Sequence, residues 1–163
     1  MTTRWLYDTA LCFHLLGAFS AVAGSVVAAV GFESARRRSD SAQIAALLAV
    51  ARIGAVFVVV GLVLAAAFGL WLVDLGHWGY GAAWVDAAIG ILLAVVAIGA
   101  IGGQGPKAAR KLAETLATEG RPASAELRSR LENRVSIALN YLAGIALLAI
   151  VVLMVTKPGS PGS

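Results

Sequence analysis

Four stretches of this chain, roughly residues 10–30, 53–73, 82–102 and 137–156, are almost wholly apolar. Each is about 20 residues long, the length over which an α-helix rising 1.5 Å per residue crosses ~30 Å of hydrocarbon. The rest of the chain is too small to bury them: 60% of its 163 residues are hydrophobic, and mean hydropathy is +0.84. Only 13% are charged, against about 25% in soluble domains. The pattern predicts an all-α integral membrane protein, an antiparallel four-helix bundle forming a single domain over residues 1–163, with a helical connection at 103–136.

Charge sets the orientation. Arg36, Arg37, Arg38 and Arg52 flank the first connection. Lys107, Arg110, Lys111, Arg121, Arg128, Arg130 and Arg134 lie in or beside the third. These are eleven of the thirteen basic residues. An even number of spans puts both connections on one side, and the positive-inside rule makes that side cytoplasmic. The chain is therefore expected in a bacterial plasma (inner) membrane, multi-pass, with both termini outside. Trp71, Trp78, Tyr80 and Trp84 then form an outer aromatic belt. The lipid bilayer explains the net charge of +4, so no nucleic-acid partner is expected. Ala21-Val22-Ala23 has the look of a signal-peptidase site. The long apolar run, Asp8 before it and the arginines after it suit an uncleaved anchor better.

Local signals mark the ends of the helices. The first span is expected to break near Gly31-Phe32, leaving Glu33 to Ser39 as a charged turn. Asp40 with Gln43 reads as a capping box opening the second helix. Gly102 to Pro106 ends the third. Lys107 to Thr118, with Leu112 and Leu116 four apart, reads as an amphipathic helix at the membrane surface. Gly120-Arg121-Pro122 breaks it, and Ser124 is expected to cap a helix running on into the fourth span. The basic residues of this connection are expected to touch anionic headgroups.

Small residues recur on one face of each of the first three helices: Ala10, Gly17, Ala21, Gly24, Ala28 and Gly31; then Gly54, Gly61, Ala65 and Gly69; then Ala83, Gly90, Ala94 and Ala97. Such faces let helices approach closely in lipid. His14 interrupts the first stripe and Asp86 the third. An ionisable residue inside a span is costly and is by default a functional hypothesis. His14 and Asp86 are thus the candidate cofactor-binding residues, Asp86 orienting the imidazole and raising its basicity. Haem b or copper would suit such a site. Cys12 and Met154 are soft ligands that, with His14, could hold Cu(I), although Cys12 points to a different face. His77 lies in the outer connection, and Asn140 could hydrogen-bond between helices. In the alternative reading, His14 and Asp86 are polar glue between helices. One cysteine excludes an internal disulfide, and no Ser-His-Asp order, Glu-x-x-His pair or Cys-x-x-Cys is present. A hydrolase or di-metal oxidase is not expected, and a catalytic role is less expected than a binding one.

The run Leu11-Cys12-Phe13-His14-Leu15-Leu16-Gly17-Ala18 resembles the L-x-x-H-x-x-G-A opening of bacterial four-helix proteins related to the copper-resistance D domain. It also resembles a sister group of predicted integral membrane proteins of unknown function, whose closing M-x-x-K-P is similar to Met154-Val155-Thr156-Lys157-Pro158. The wider set includes members linked to copper uptake and a haem-binding oxidase of tetrapyrrole synthesis. What the resemblance implies for this chain is confined to His14, as the first-helix histidine. Three functions stay open. The first is a protein binding haem b or copper through His14. The second is a non-catalytic membrane subunit, in a homo-oligomer or a larger membrane complex. The third is a small permease with His14 and Asp86 as a proton relay.

Overall fold

The computed structural model describes residues 2–76 and 83–156. It contains six helices: α1 (Thr2–Arg36), α2 (Ser41–Leu75), α3 (Ala83–Gly102), α4 (Gln104–Thr118), α5 (Ala125–Leu131) and α6 (Arg134–Thr156). No strand occurs among the described residues. Four helical segments are long and apolar enough to cross a membrane, in α1, α2, α3 with α4, and α5 with α6. The expected integral membrane four-helix architecture is what the chain adopts. His77, Trp78, Tyr80 and Lys157-Pro158 lie outside the described residues.

The spans form two antiparallel pairs, α1 with α2 and α3 with α6. At the end away from the basic connections, Val73 of α2 packs with Trp84 and Val85 of α3, and Leu153 and Met154 of α6 lie against them. At the basic end the pairs are tied together through α4 and α5. Ile44 and Leu48 of α2 and Ala35 of α1 form one core with Ala109, Ala113 and Leu116 of α4 and Leu127 and Leu131 of α5. Burying each large side chain contributes roughly 1.5–3 kcal/mol. That is enough to hold α4 and α5 on the protein as a folded cap, so α4 is more than a surface helix resting on lipid. The two turns are stitched as well: the Ser41 hydroxyl donates to the Arg121 carbonyl, and the Ala123 N–H donates to the Ser39 carbonyl at 3.2 Å.

Several boundaries differ from the expectation, each for a local reason. The first helix does not stop at Gly31-Phe32. Glu33 pairs with Arg36 and Arg37 at (i, i+3) and (i, i+4), and Ala35 is fully buried, so the helix continues to Arg36. Asp40 caps α2 by accepting the Gln43 N–H at 3.1 Å. The glycines after α3 bend the chain without releasing it. Gly103 is helical, its N–H reaching the Gly99 carbonyl at 2.9 Å and its own carbonyl accepting from Lys107 at 3.3 Å. Gly120 ends α4 with φ +66°. Its N–H bonds Ala117 and the Arg121 N–H bonds Leu116, a Schellman closure that needs the left-handed residue glycine supplies. Ser124 caps α5 through the Leu127 N–H at 3.2 Å, but α5 does not run on into the span. It stops at Leu131, and Asn133 opens α6 by accepting the N–H groups of Val135 and Ser136 at 3.0 and 3.1 Å.

Candidate functional site

The site grows out of the contact between α1 and α2. Their glycines are seven residues apart on α1 (Gly17, Gly24, Gly31) and on α2 (Gly54, Gly61), so each set falls on one face. A Cβ on Gly61 would stand 2.5 Å from the Ala21 nitrogen and 2.6 Å from the Gly17 carbonyl oxygen. One on Gly54 would stand 2.5 Å from the Ala28 nitrogen and 2.6 Å from the Gly24 oxygen. The two helices therefore touch backbone to backbone. In lipid this is how helices gain affinity for one another, through dispersion and dipole contacts that side chains would block.

One large polar side chain sits in this seam. The His14 Nδ1 lies 2.8 Å from the Ala65 carbonyl oxygen of α2. A carbonyl only accepts, so Nδ1 carries the proton. In the neutral ring the lone pair then lies on Nε2. Gly69, one turn beyond Ala65, makes room for the ring: a Cβ there would stand 3.0 Å from both Cε1 and Nδ1. Phe13 stacks on Phe68 with centroids 4.9 Å apart, and Phe68 lies 6.0 Å from Trp71, so an aromatic band flanks the imidazole. Among the described residues Nε2 has no hydrogen-bond partner.

The orienting role expected of Asp86 falls instead to the Ala65 carbonyl. Asp86 is exposed in the first turn of α3, a helix that packs on α6 and meets α4, and no hydrogen bond joins it to His14. The whole small stripe of α3, comprising Ala83, Asp86, Gly90, Ala94 and Ala97, faces outward. The buried face is Trp84, Val85, Ala88 and Val95. The reason is the partner. On α6 the residues meeting α3 include Leu139, Leu153 and Met154, and bulky side chains pack on a bulky face and keep the backbones apart. Cys12 is exposed, while Met154 is half-buried against Val73, Trp84 and Val85. The structure thus puts the expected copper ligands in different surroundings. No three His, Cys, Asp or Glu side chains are grouped so as to share a metal among the described residues. Asn140 lies beside Gly102 of α3 and makes no side-chain hydrogen bond to the described residues.

The matched sequence is nearly the whole chain. Residues 9–158 fit the family model described as predicted integral membrane protein (DUF2269). The chain belongs to that family. No curated protein and no solved structure matches it.

In this DUF2269 member, sequence reasoning singled out His14 but missed the carbonyl that fixes it. The signal was present: Ala65 and Gly69 stand four apart on the small face of α2, where a ring from α1 can fit only if both are small. It also missed the cap core. Ile44 and Leu48, four apart, mark one side, and Ala109, Ala113 and Leu116 the other. Outside the membrane, the Arg37 hydrogen bond and the neighbouring Arg36 charge hold the Glu33 carboxyl below its ordinary range.

Proposed function

We propose that this is an inner-membrane protein, basic end in the cytoplasm, that binds haem b through His14 Nε2 in the outer half of the bundle. The observation that carries the reading is the 2.8 Å contact from His14 Nδ1 to the Ala65 carbonyl. Iron- and other metal-ligating histidines usually give their second N–H to a carbonyl or carboxylate, which fixes the tautomer and raises the basicity of the ligating nitrogen. His14 has this arrangement without Asp86. A haem iron is held by a single proximal histidine in several protein classes and supplies redox or ligand-binding chemistry when bound. The residues fit that demand better than they fit copper, which favours several soft ligands gathered together. The likeness of the Leu11–Ala18 motif to copper-resistance D relatives supports a ligand role for the same histidine.

The test is an absorption spectrum and metal analysis of detergent-purified protein, expressed with ample haem and copper, beside His14→Ala. A Soret band lost in the mutant, with helicity unchanged, is the expected result. Stoichiometric copper lost in the mutant would replace haem by copper. A colourless, metal-free wild type would overturn the reading.

The outward small face of α3 favours a second reading, a non-catalytic subunit of a homo-oligomer or membrane complex. Stable co-purification with a membrane partner, in protein free of pigment and metal, would support it.

A further inference from the structure

We propose that the basic end holds one anionic phospholipid in the crook where α3 bends into α4 against the first turns of α6. Two contacts define the crook. A Cβ on Gly105 would stand 2.7 Å from Ser136 Oγ, and one on Gly102 would stand 3.2 Å from Leu139 Cβ and 3.3 Å from Asn140 Oδ1. Gly102 ends the third span and Arg134 opens the fourth helix, so the crook lies at the membrane boundary, where lipid phosphates lie.

Polar side chains without partners gather on these turns. Gln104, Lys107, Arg134 and Asn140 are all exposed, and none has a side-chain hydrogen bond or ion pair to a described residue. This sets the crook apart from most of the basic end. There the cations are matched locally: Arg36 and Arg37 to Glu33, Arg110 to Glu114, Arg121 to Glu119 and Arg130 to Glu126. The nearest acidic residue in sequence, Glu132, pairs with neither Lys107 nor Arg134. Two cations with amide and hydroxyl groups beside them suit a phosphodiester bearing a glycerol headgroup, which offers negative oxygens and hydroxyls together.

Just inside the boundary the surface turns apolar and open. Ile101 is 62% exposed, Val135 67% and Leu142 50%, and Leu147 is the one fully buried residue of α6. A lipid seated by its headgroup can lay its acyl chains along this face. Charge above and grease below select a lipid over a soluble phosphate.

The experiment is native mass spectrometry of the full chain released from mixed vesicles of phosphatidylglycerol and phosphatidylcholine at equal amounts. Wild type should retain one phosphatidylglycerol, in preference to phosphatidylcholine by about tenfold, the weight of one to two basic residues near an anionic surface. Lys107→Gln with Arg134→Gln should abolish the preference. The charge-keeping pair Lys107→Arg with Arg134→Lys should retain it, as should Arg38→Gln with Arg128→Gln, which removes as much charge elsewhere. Glycerol phosphate in excess should leave the bound lipid in place. Equal retention of the two lipids by wild type would overturn the proposal. So would a preference lost equally in the Arg38/Arg128 control, which would mean diffuse charge alone, or a lipid displaced by glycerol phosphate, which would mean a soluble-phosphate site.

Discussion

The two helix pairs of this protein were built from similar material and pack in opposite ways. In α1 and α2 the glycines are spent on contact: at Gly17, Gly24, Gly54 and Gly61 an added Cβ would come within 2.5–2.6 Å of the opposite backbone. In α3 and α6, Gly90, Gly99 and Gly144 have nothing within 4 Å. A small-residue stripe therefore allows close approach but does not cause it. The cause is reciprocity. The stripe of α1 meets an equally small stripe on α2 in matching register, whereas α6 offers leucines and a methionine, and α3 turns its bulky face to them. The tight pair is also the one that holds the ionisable side chain, because a seam of bare backbone has carbonyls at close range and an imidazole can find one.

The sharpest way to break the comparison is to put the same side chain into both pairs. Gly61→Leu should destabilise the protein in detergent by about 1–3 kcal/mol or more, as overpacked cores do, whereas Gly90→Leu should leave its melting temperature unchanged. Thermal unfolding followed by circular dichroism measures both. Equal losses would erase the distinction between the pairs.

Next in size is the cap that joins the pairs. Ser41→Ala removes a buried hydroxyl and leaves the Arg121 carbonyl without its donor, a loss of about 1 kcal/mol. Faster amide exchange in α4 and α5 should accompany it, with α1 and α2 protected within the membrane.

His14→Ala should cost less, about 0.6 kcal/mol, the average measured for interhelical hydrogen bonds in a membrane protein. Asp86→Asn should cost nothing measurable, because Asp86 makes no bond to the seam. A larger loss for Asp86→Asn than for His14→Ala would restore the carboxylate to the site.

The smallest effect concerns acid. The Glu33 carboxyl is held low by Arg37 and Arg36, so its contribution is present above the ordinary carboxylate range. It fades as pH falls through its depressed value. Glu33→Gln should flatten a slight decline in stability at acid pH and change nothing at neutral pH.

Much of this was readable in the residues. Span number followed from apolar length, the α1 and α2 faces from glycine spacing, and the caps at Asp40 and Ser124 from residue type. The α3 stripe was misread because which face is used depends on the partner's bulk, which no single helix records. Asp86 was joined to His14 because both interrupt small stripes at similar depth. The structure spends one stripe on α2 and leaves the other outward. The end of α5 at Leu131 was missed because Asn133 signals a cap only where a helix is already known to begin.

The account rests on the Ala65 carbonyl fixing the His14 proton on Nδ1 and leaving Nε2 to a ligand. The chain has two histidines, so nitrogen-15 solid-state NMR of histidine-labelled protein in lipid, with His77→Gln to assign the signals, reads this directly. The account predicts a neutral His14 ring protonated at Nδ1, with that proton lost from the carbonyl contact if Ala65 is forced away by Gly69→Val. A ring protonated at Nε2 and bare at Nδ1 would contradict it, because the carbonyl contact and the free ligating nitrogen would both be gone.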